Sequence, residues 1–448
     1  QAPWPSPLPA CCCAACMDIM RKWLAGGLLA VLLVGARALR SPEENEPTEY
    51  VEVKGKYISI QVGRKEFSVL DYGAKGDNQT LDTNAIQKAF DEAGVDGGIV
   101  LLPAGRVYLS DALHFSGSHT LMRVESGATL RFRTELNGVP CKFERSVAFI
   151  TSVGSLIDIG VDGGGVIDGQ GKSCWENEGV YHPRMLELYG KYVLIANITT
   201  KNPCKQHMML HADEAEVSHV TMLAPPSTGT VVVNGTVGPS HNTDGINTFG
   251  RPIYIHDSYI STGDDNIAFH SNDTLVEDNY FGYGHGISIG SVKEGDHFRN
   301  ITVRNSVMNL TTTGFRIKVT KGIASASVAE VVFENATMND VGQAIYFTMD
   351  YSNNPHDKSA RPIYTTDSAI HTTGVTLTGV TVRDVRILNS GKFENPALEC
   401  SEAAPCSNLT IQGVKFSEDS NKMNVSWEIA HATGHAEGNV PTVGLRDS

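Results

Sequence analysis

The sequence predicts an all-β chain, a parallel β-helix with one short helix covering its N-terminal end, and three observations carry that expectation. From about Phe149 onward, short apolar segments recur at roughly 22 to 30 residues, the length one coil of a solenoid needs. No helical periodicity lies between them. The two-residue hairpin turns that an antiparallel sandwich would show are scarce. The repeat is clearest at Ile253-Tyr254-Ile255, Leu275-Val276, Ile301-Thr302-Val303 and Val331-Val332-Phe333, followed within a few residues by Ser258, Asn279, Ser306 and Asn335. Each is then followed, after a turn, by a second strand: NIAF, GISI, GFRIKV and QAIYF.

The chain divides as follows. Met17 and Met20 precede Arg21 and Lys22, an apolar run from Trp23 to Ala36, and Ala36-Arg37-Ala38, which has the form of a signal-peptidase site. Residues 1–38 therefore read as upstream residues plus a secretory signal cleaved near Ala38. The apolar run is shorter than the ~20 residues a membrane span requires. Residues 39–56 are polar and acidic and predict a flexible lead-in. A β-helix domain is expected over 57–430, beginning with a strand near Tyr57, and a polar tail over 431–448. Between Thr83 and Ala93, Ile86, Ala89, Phe90 and Ala93 share one helical face, with Asp82 or Thr83 placed to cap its start and Gly94 to end it. Such a helix would cover the open edge of the first coil.

Export agrees with two further features. Asn-x-Ser/Thr sequons occur at Asn78, Asn197, Asn234, Asn272, Asn300, Asn309, Asn335, Asn408 and Asn424, although Asn and Thr are also common in β-turns. Cys141, Cys174, Cys204, Cys400 and Cys406 remain beyond the signal, an odd number without metal-ligand spacing. Cys400 and Cys406 are close enough for a local disulfide. The pairing of the other three is open. The net charge of −14 excludes nucleic acid as a favoured partner, because phosphate binding needs clustered Lys and Arg.

Function concentrates between Asn242 and Lys318, where NTDG, GDDN, GHG and RIK follow one another at coil-like spacing. Asp244 would lie one coil before Asp264 and Asp265, His285 one coil after them, and Arg316 and Lys318 one coil further. Period two in Gly314-Phe315-Arg316-Ile317-Lys318-Val319 sends Phe315, Ile317 and Val319 inward and both cations outward. Taken singly, an Asp-Gly string is a turn, a His is structural and an Arg-x-Lys strand is a solvated face. Three carboxylates alone could also bind calcium. Together with an imidazole and two cations, they supply instead a protonated carboxyl beside ionised ones, the equipment of glycoside hydrolysis, with Arg and Lys for an anionic sugar.

NTDGI (242–246), STGDDN (261–266), GHGISIGS (284–291) and RIK (316–318) resemble the signature set of polygalacturonases, glycoside hydrolase family 28. FSVLDYGAKGD (67–77), VLLPAGRVYL (100–109), GGGVIDGQG (163–171) and MDYSN (349–353) extend the likeness over most of residues 65–355. The resemblance implies a right-handed parallel β-helix that hydrolyses α-1,4 bonds between galacturonic acid units with inversion, without metal or cofactor. It implies Asp264 as general acid, Asp244 and Asp265 as the pair that activates water, and His285 as the supporting imidazole. Arg316 and Lys318 would bind the substrate carboxylate, and Tyr351 would be an aromatic subsite residue. Asn266 stands where many plant and fungal relatives have Cys, and IYFTMD replaces the sequence usual before the Tyr.

The partner expected is therefore an anionic polysaccharide, pectin or polygalacturonate, met by a secreted monomer in the extracellular space or cell wall. Local cations must outweigh the acidic net field there. Two rivals keep the fold and change the function. A pectate lyase would need calcium and yield unsaturated products; a non-catalytic pectin-binding β-helix would bind without releasing reducing ends.

Overall fold

The computed structural model describes residues 48–53, 56–61, 64–136, 139–140, 148–177, 181–352, 374–388, 393–416, 425–438 and 445. The expected signal region, Cys141 and Asn424 lie outside the described residues. A 31-stranded assembly of parallel strands forms one right-handed β-helix, each strand pairing with its counterpart in the coil before and the coil after. Along the floor of one face, the register runs Met208, Ile246, Ile267, Ile287, Phe315, Ile345. All six side chains point inward and are fully buried. Burial of such a side chain contributes about 1.5–3 kcal/mol, so stacking coils supplies most of the stability. Inside, Phe315 stacks on Phe333 at 4.4 Å between ring centroids, and Phe333 lies 6.2 Å from Phe347.

Corners are made by residues that tolerate positive φ. In register, Asn197, His219, Asp257, Asp278, Asn305, Asn335, Asp384 and Gly413 all lie between φ 47° and 61°. Asn, Asp and Gly enter this region at least cost, and Asn335 Nδ2 donates to Asn305 Oδ1 across one coil step at 2.8 Å. The residue after each corner turns inward: Ser258, Asn279 and Ser306 are buried there, and so is Ala336. The sequence grouping of Asn335 with the first three is thus off by one residue. The sequon residues Asn197 and Asn335 occupy this corner, and Asn300 and Asn408 are likewise at positive φ. Turn geometry therefore accounts for those asparagines without glycosylation.

Several boundaries differ from expectation. Thr48–Val53 pairs antiparallel with Lys56–Gln61, so part of the expected lead-in is strand; its Tyr and Val outweigh its acidic residues. The helix runs Thr83–Asp96, through Gly94, and turns out at Gly97. Gly94 is inside because the backbone approaches so closely that a Cβ there would lie 2.7 Å from Gly117 N. Asp82 does not cap the helix by its side chain; its carboxylate accepts instead from Lys75 N at 2.7 Å and Gly76 N at 3.0 Å. Phe90 on the buried face packs edge-on against Phe115 at 5.0 Å. At the other end, Ala432–Glu437 pairs parallel with Cys406–Gln412, so the last coil reaches into the expected tail. That strand escapes an apolar pattern because its third residue, Gly434, faces the Leu409 carbonyl too closely for any side chain.

Disulfides join Cys174 to Cys204, with Cα atoms 5.4 Å apart, and Cys400 to Cys406, 5.7 Å apart. No helix among the described residues is long and apolar enough to cross a membrane.

Candidate active site

The stacking register brings the four motifs onto one corner and the strand after it. Gly245 N donates to Asp265 O at 2.9 Å and His285 N to Asp264 O at 2.8 Å, which fixes Asp244, Asp264 and Asp265, and His285 on three successive coils. The next strand, Thr313–Thr320, pairs Arg316 with Ser288. Phe315, Ile317 and Val319 are fully buried, and Arg316 and Lys318 lie on the outer face. Lys318 is nevertheless 5% exposed, because it reaches back across the coil of Gly290 to Asp265. A Cβ on Gly290 would sit 2.6 Å from Lys318 O, so glycine is required there. Asp265 is the hub. Its Oδ2 accepts from Lys318 Nζ at 2.6 Å, and its Oδ1 from Ser288 Oγ at 3.0 Å and from Arg316 Nη2. Ser288 Oγ in turn accepts from Arg316 Nε at 2.9 Å. Asp264 Oδ1 meets His285 Nδ1 at 3.1 Å and accepts from Asp265 N at 2.8 Å. Among the described residues, its Oδ2 accepts only the longer bond from Asn242 Nδ2, 3.3 Å. Asp244 Oδ2 accepts from Asn247 Nδ2 at 3.1 Å. The Tyr351 ring lies beneath Lys318 Nζ, 5.2 Å from its centroid.

These contacts give the three carboxylates different charges. Burial, and then the neighbouring Asp264 and Asp265, push Asp244 up to about 7, so this carboxyl keeps its proton through the acidic range. Burial would also raise Asp265, but Arg316 and Lys318 hold it below the usual carboxylate range. For Asp264, burial is again overcome, here by the hydrogen bond and charge of His285, by Lys318 and by the Asp265 N–H, and it too lies low. The sequence reading puts the site's proton on Asp264. Burial and its carboxylate neighbours favour the proton on Asp244 instead, while His285 faces Asp264.

The profile of Glycosyl hydrolases family 28 matches residues 98–435. The chain belongs to that family. A polygalacturonase from Malus domestica is 29% identical over 389 residues, covering 81% of this chain and 77% of the relative. An exopolygalacturonase from Platanus acerifolia is 27% identical, covering 80% and 92%. Among solved structures, the polygalacturonase from Erwinia carotovora ssp. carotovora superposes with a TM-score of 0.59 at 26% identity, covering 80% of this chain and 94% of that one. The protein is thus a glycoside hydrolase.

In this family-28 enzyme the departure at Asn266 has a structural cause. The side chain is fully buried, donates from Nδ2 to Ile260 O at 3.0 Å and Tyr283 O at 2.9 Å, and accepts at Oδ1 from Gly286 N at 2.9 Å. It clamps the Asp264–Asp265 corner to the His285 corner. Asn266→Ala is expected to lower unfolding free energy by about 1–3 kcal/mol, since Gly286 N loses its acceptor while Ile260 O and Tyr283 O each lose one of two donors; urea denaturation measures it, and an unchanged midpoint would contradict the clamp.

Asn242, Asn247, Ser288 and Ser227 also join the site, though sequence reasoning missed their roles. Ser288 enters the sequence reading only within the GHGISIGS string, and Ser227 has no sequence signal, being far from His285 along the chain. On the same outer face, Tyr189, His211, Phe249 and His270 form a ladder of stacked rings 4.3, 4.5 and 4.8 Å apart, leading through the coil of Gly290 toward Lys318. Asp264, Asp265 and His285 offer donor atoms within 4.8 Å of one another, close enough for a cation to bridge. The chemistry of the set fits a cation poorly, since Asp265 already accepts from Arg316 and Lys318, whose fixed positive charges would oppose it.

Proposed function

We propose that this glycosidase is a polygalacturonase that cleaves α-1,4-galacturonosidic bonds of pectin with inversion, without metal, as a secreted monomer. The observation that carries the reading is the division of labour at the Asp pair: Asp265 lies against two cations and Asp264 against an imidazole. Asp264 is the general acid. Its less engaged oxygen, Oδ2, faces the leaving glycosidic oxygen, to which Asp264 gives its proton, leaving a carboxylate beside His285. Asp265, kept ionised by its cations, takes the proton from the attacking water, which Asp244 helps to position. Arg316, Lys318 and Tyr351 hold the uronate, and the two cations serve both Asp265 and the substrate. The relatives named as polygalacturonases and exopolygalacturonases support this substrate class.

The raised carboxyl of Asp244 supports one alternative, in which Asp244 is the acid and Asp264 the base. Reducing-end release from polygalacturonate at acidic pH with EDTA present tests the main reading, and viscosity followed alongside separates endo from exo cleavage. Absence of release, or release that requires calcium and yields ultraviolet-absorbing products, would overturn it.

Arg316 and Lys318 predict a second effect. Lys318→Ala is expected to raise KM, and Arg316→Ala to lower kcat/KM by a larger factor, about tenfold or more. Each substitution also removes a cation that depresses Asp265. The base then stays protonated over more of the acidic range, so the acid limb of kcat/KM moves to higher pH. Wild-type kinetics with an unmoved limb in both variants would remove them from the site.

A further inference from the structure

His285 is gripped from both sides. Its Nδ1 meets Asp264, and its Nε2 lies 3.1 Å from Ser227 Oγ, the partner of that hydroxyl among the described residues. Ser227 belongs to no coil. It sits on the excursion between strands Thr221–Leu223 and Ile246–Thr248, which carries the antiparallel pair Val232–Val233 and Thr236–Val237. That excursion closes on itself, Ser240 Oγ donating to Pro225 O and Gly238 N to Val231 O at 3.2 Å, and its hairpin is held to the coils where Asn202 Nδ2 donates to Thr236 Oγ1 at 2.9 Å. A loop fastened in this way can hold a side chain in place.

The proton count on the ring gives the contact its meaning. A neutral imidazole has one N–H. With that hydrogen on Nε2, the ring donates to Ser227, and its bare Nδ1 can face Asp264 only when Asp264 carries a proton. With the hydrogen on Nδ1, the ring donates to Asp264 Oδ1 and its bare Nε2 can only accept from Ser227. An acceptor at Nε2 therefore favours the pair of states in which the proton of the acid is present, either as imidazolium with carboxylate or as imidazole with carboxylic acid. A hydroxyl can also turn to donate once the proton has gone, so the ring is never left unpartnered.

We propose that Ser227 is a positioning residue for the acid, fixing the His285 ring with its N–H on Nε2 and so retaining a proton for Asp264. The inference rests on Asp264 being the general acid. The charged groups around the ring are Asp264 and Asp265, with Asp244 and Lys318 also acting on Asp264. Without Ser227, the protonated states of the pair lose a charge-assisted hydrogen bond and the proton leaves at lower pH.

Ser227→Ala should lower kcat on polygalacturonate about tenfold with KM little changed, and move the alkaline limb of kcat toward acid by about one pH unit. Ser227→Thr, which keeps the hydroxyl, should restore both. An alkaline limb unmoved in Ser227→Ala, or a Thr variant as impaired as Ala, would overturn the proposal. Nitrogen-15 NMR of His285, assigned by difference from His285→Gln, reads the ring without turnover. Wild type should show the proton on Nε2 and Ser227→Ala should titrate lower; identical titrations would also overturn it. If Asp264→Asn keeps full activity, the acid assignment has failed instead, and the NMR comparison still decides whether Ser227 sets the ring.

Discussion

Asp264→Asn is expected to lower kcat on polygalacturonate by about 10³-fold, the contribution of a positioned general acid. The amide keeps an oxygen for Asp265 N and occupies the same volume between His285 and Asn242, so the loss is chemical and not structural. An aryl galacturonide, whose leaving group departs without protonation, sharpens the test. The variant should hydrolyse it at a rate much nearer wild type than it does the polymer. Were Asp244→Asn the variant that spares the aryl substrate, the acid would be Asp244 and the roles on the two coils would exchange.

Asp244→Asn is expected to raise stability above neutral pH. Asp244 lies at about 7 when folded, against an ordinary carboxyl value of 3.8, raised first by burial and then by Asp264 and Asp265. A group raised on folding binds its proton more tightly in the native state. Its contribution to stability is complete below the unfolded value and disappears as pH rises through about 7. Above neutrality the folded protein must hold a third carboxylate beside two others. Asn removes that burden, and its oxygen can still accept from Asn247 Nδ2. Allowing for partial solvent screening, the variant should be about 1–3 kcal/mol more stable at about pH 8 and nearly unchanged at about pH 4, while polymer hydrolysis falls about 100-fold. Thermal melts at the two pH values measure it. Equal melting shifts at both would show that Asp244 is not raised by its neighbours.

Much of this was legible in the sequence because a β-helix converts sequence spacing into adjacency. Once a coil length is known, Asp244, Asp265 and His285 fall at one corner, and period two settles that Arg316 and Lys318 share the outer face. Geometry across coils was less legible. Arg316 and Lys318 read as anion binders, yet both reach back across a coil to Asp265, a contact that spacing alone does not reveal. Likewise, the placement of the proton depends on which carboxylate the His285 ring faces, a matter of side-chain direction. Ser227 was beyond reach, because it enters from an excursion outside the repeat. Gly94 misled for a related reason: a helix-ending residue by propensity, it is retained within the helix by the backbone of Gly117 packed against it.

The central claim is that this set of three aspartates and one histidine hydrolyses a galacturonosidic bond by direct attack of water. Proton NMR of the first reducing ends released from an α-1,4-linked galacturonate oligomer, recorded before mutarotation and with EDTA present, tests it most directly. The account predicts β-configured ends appearing first. Ends appearing first in the α configuration, or vinylic signals from an unsaturated product, would contradict it.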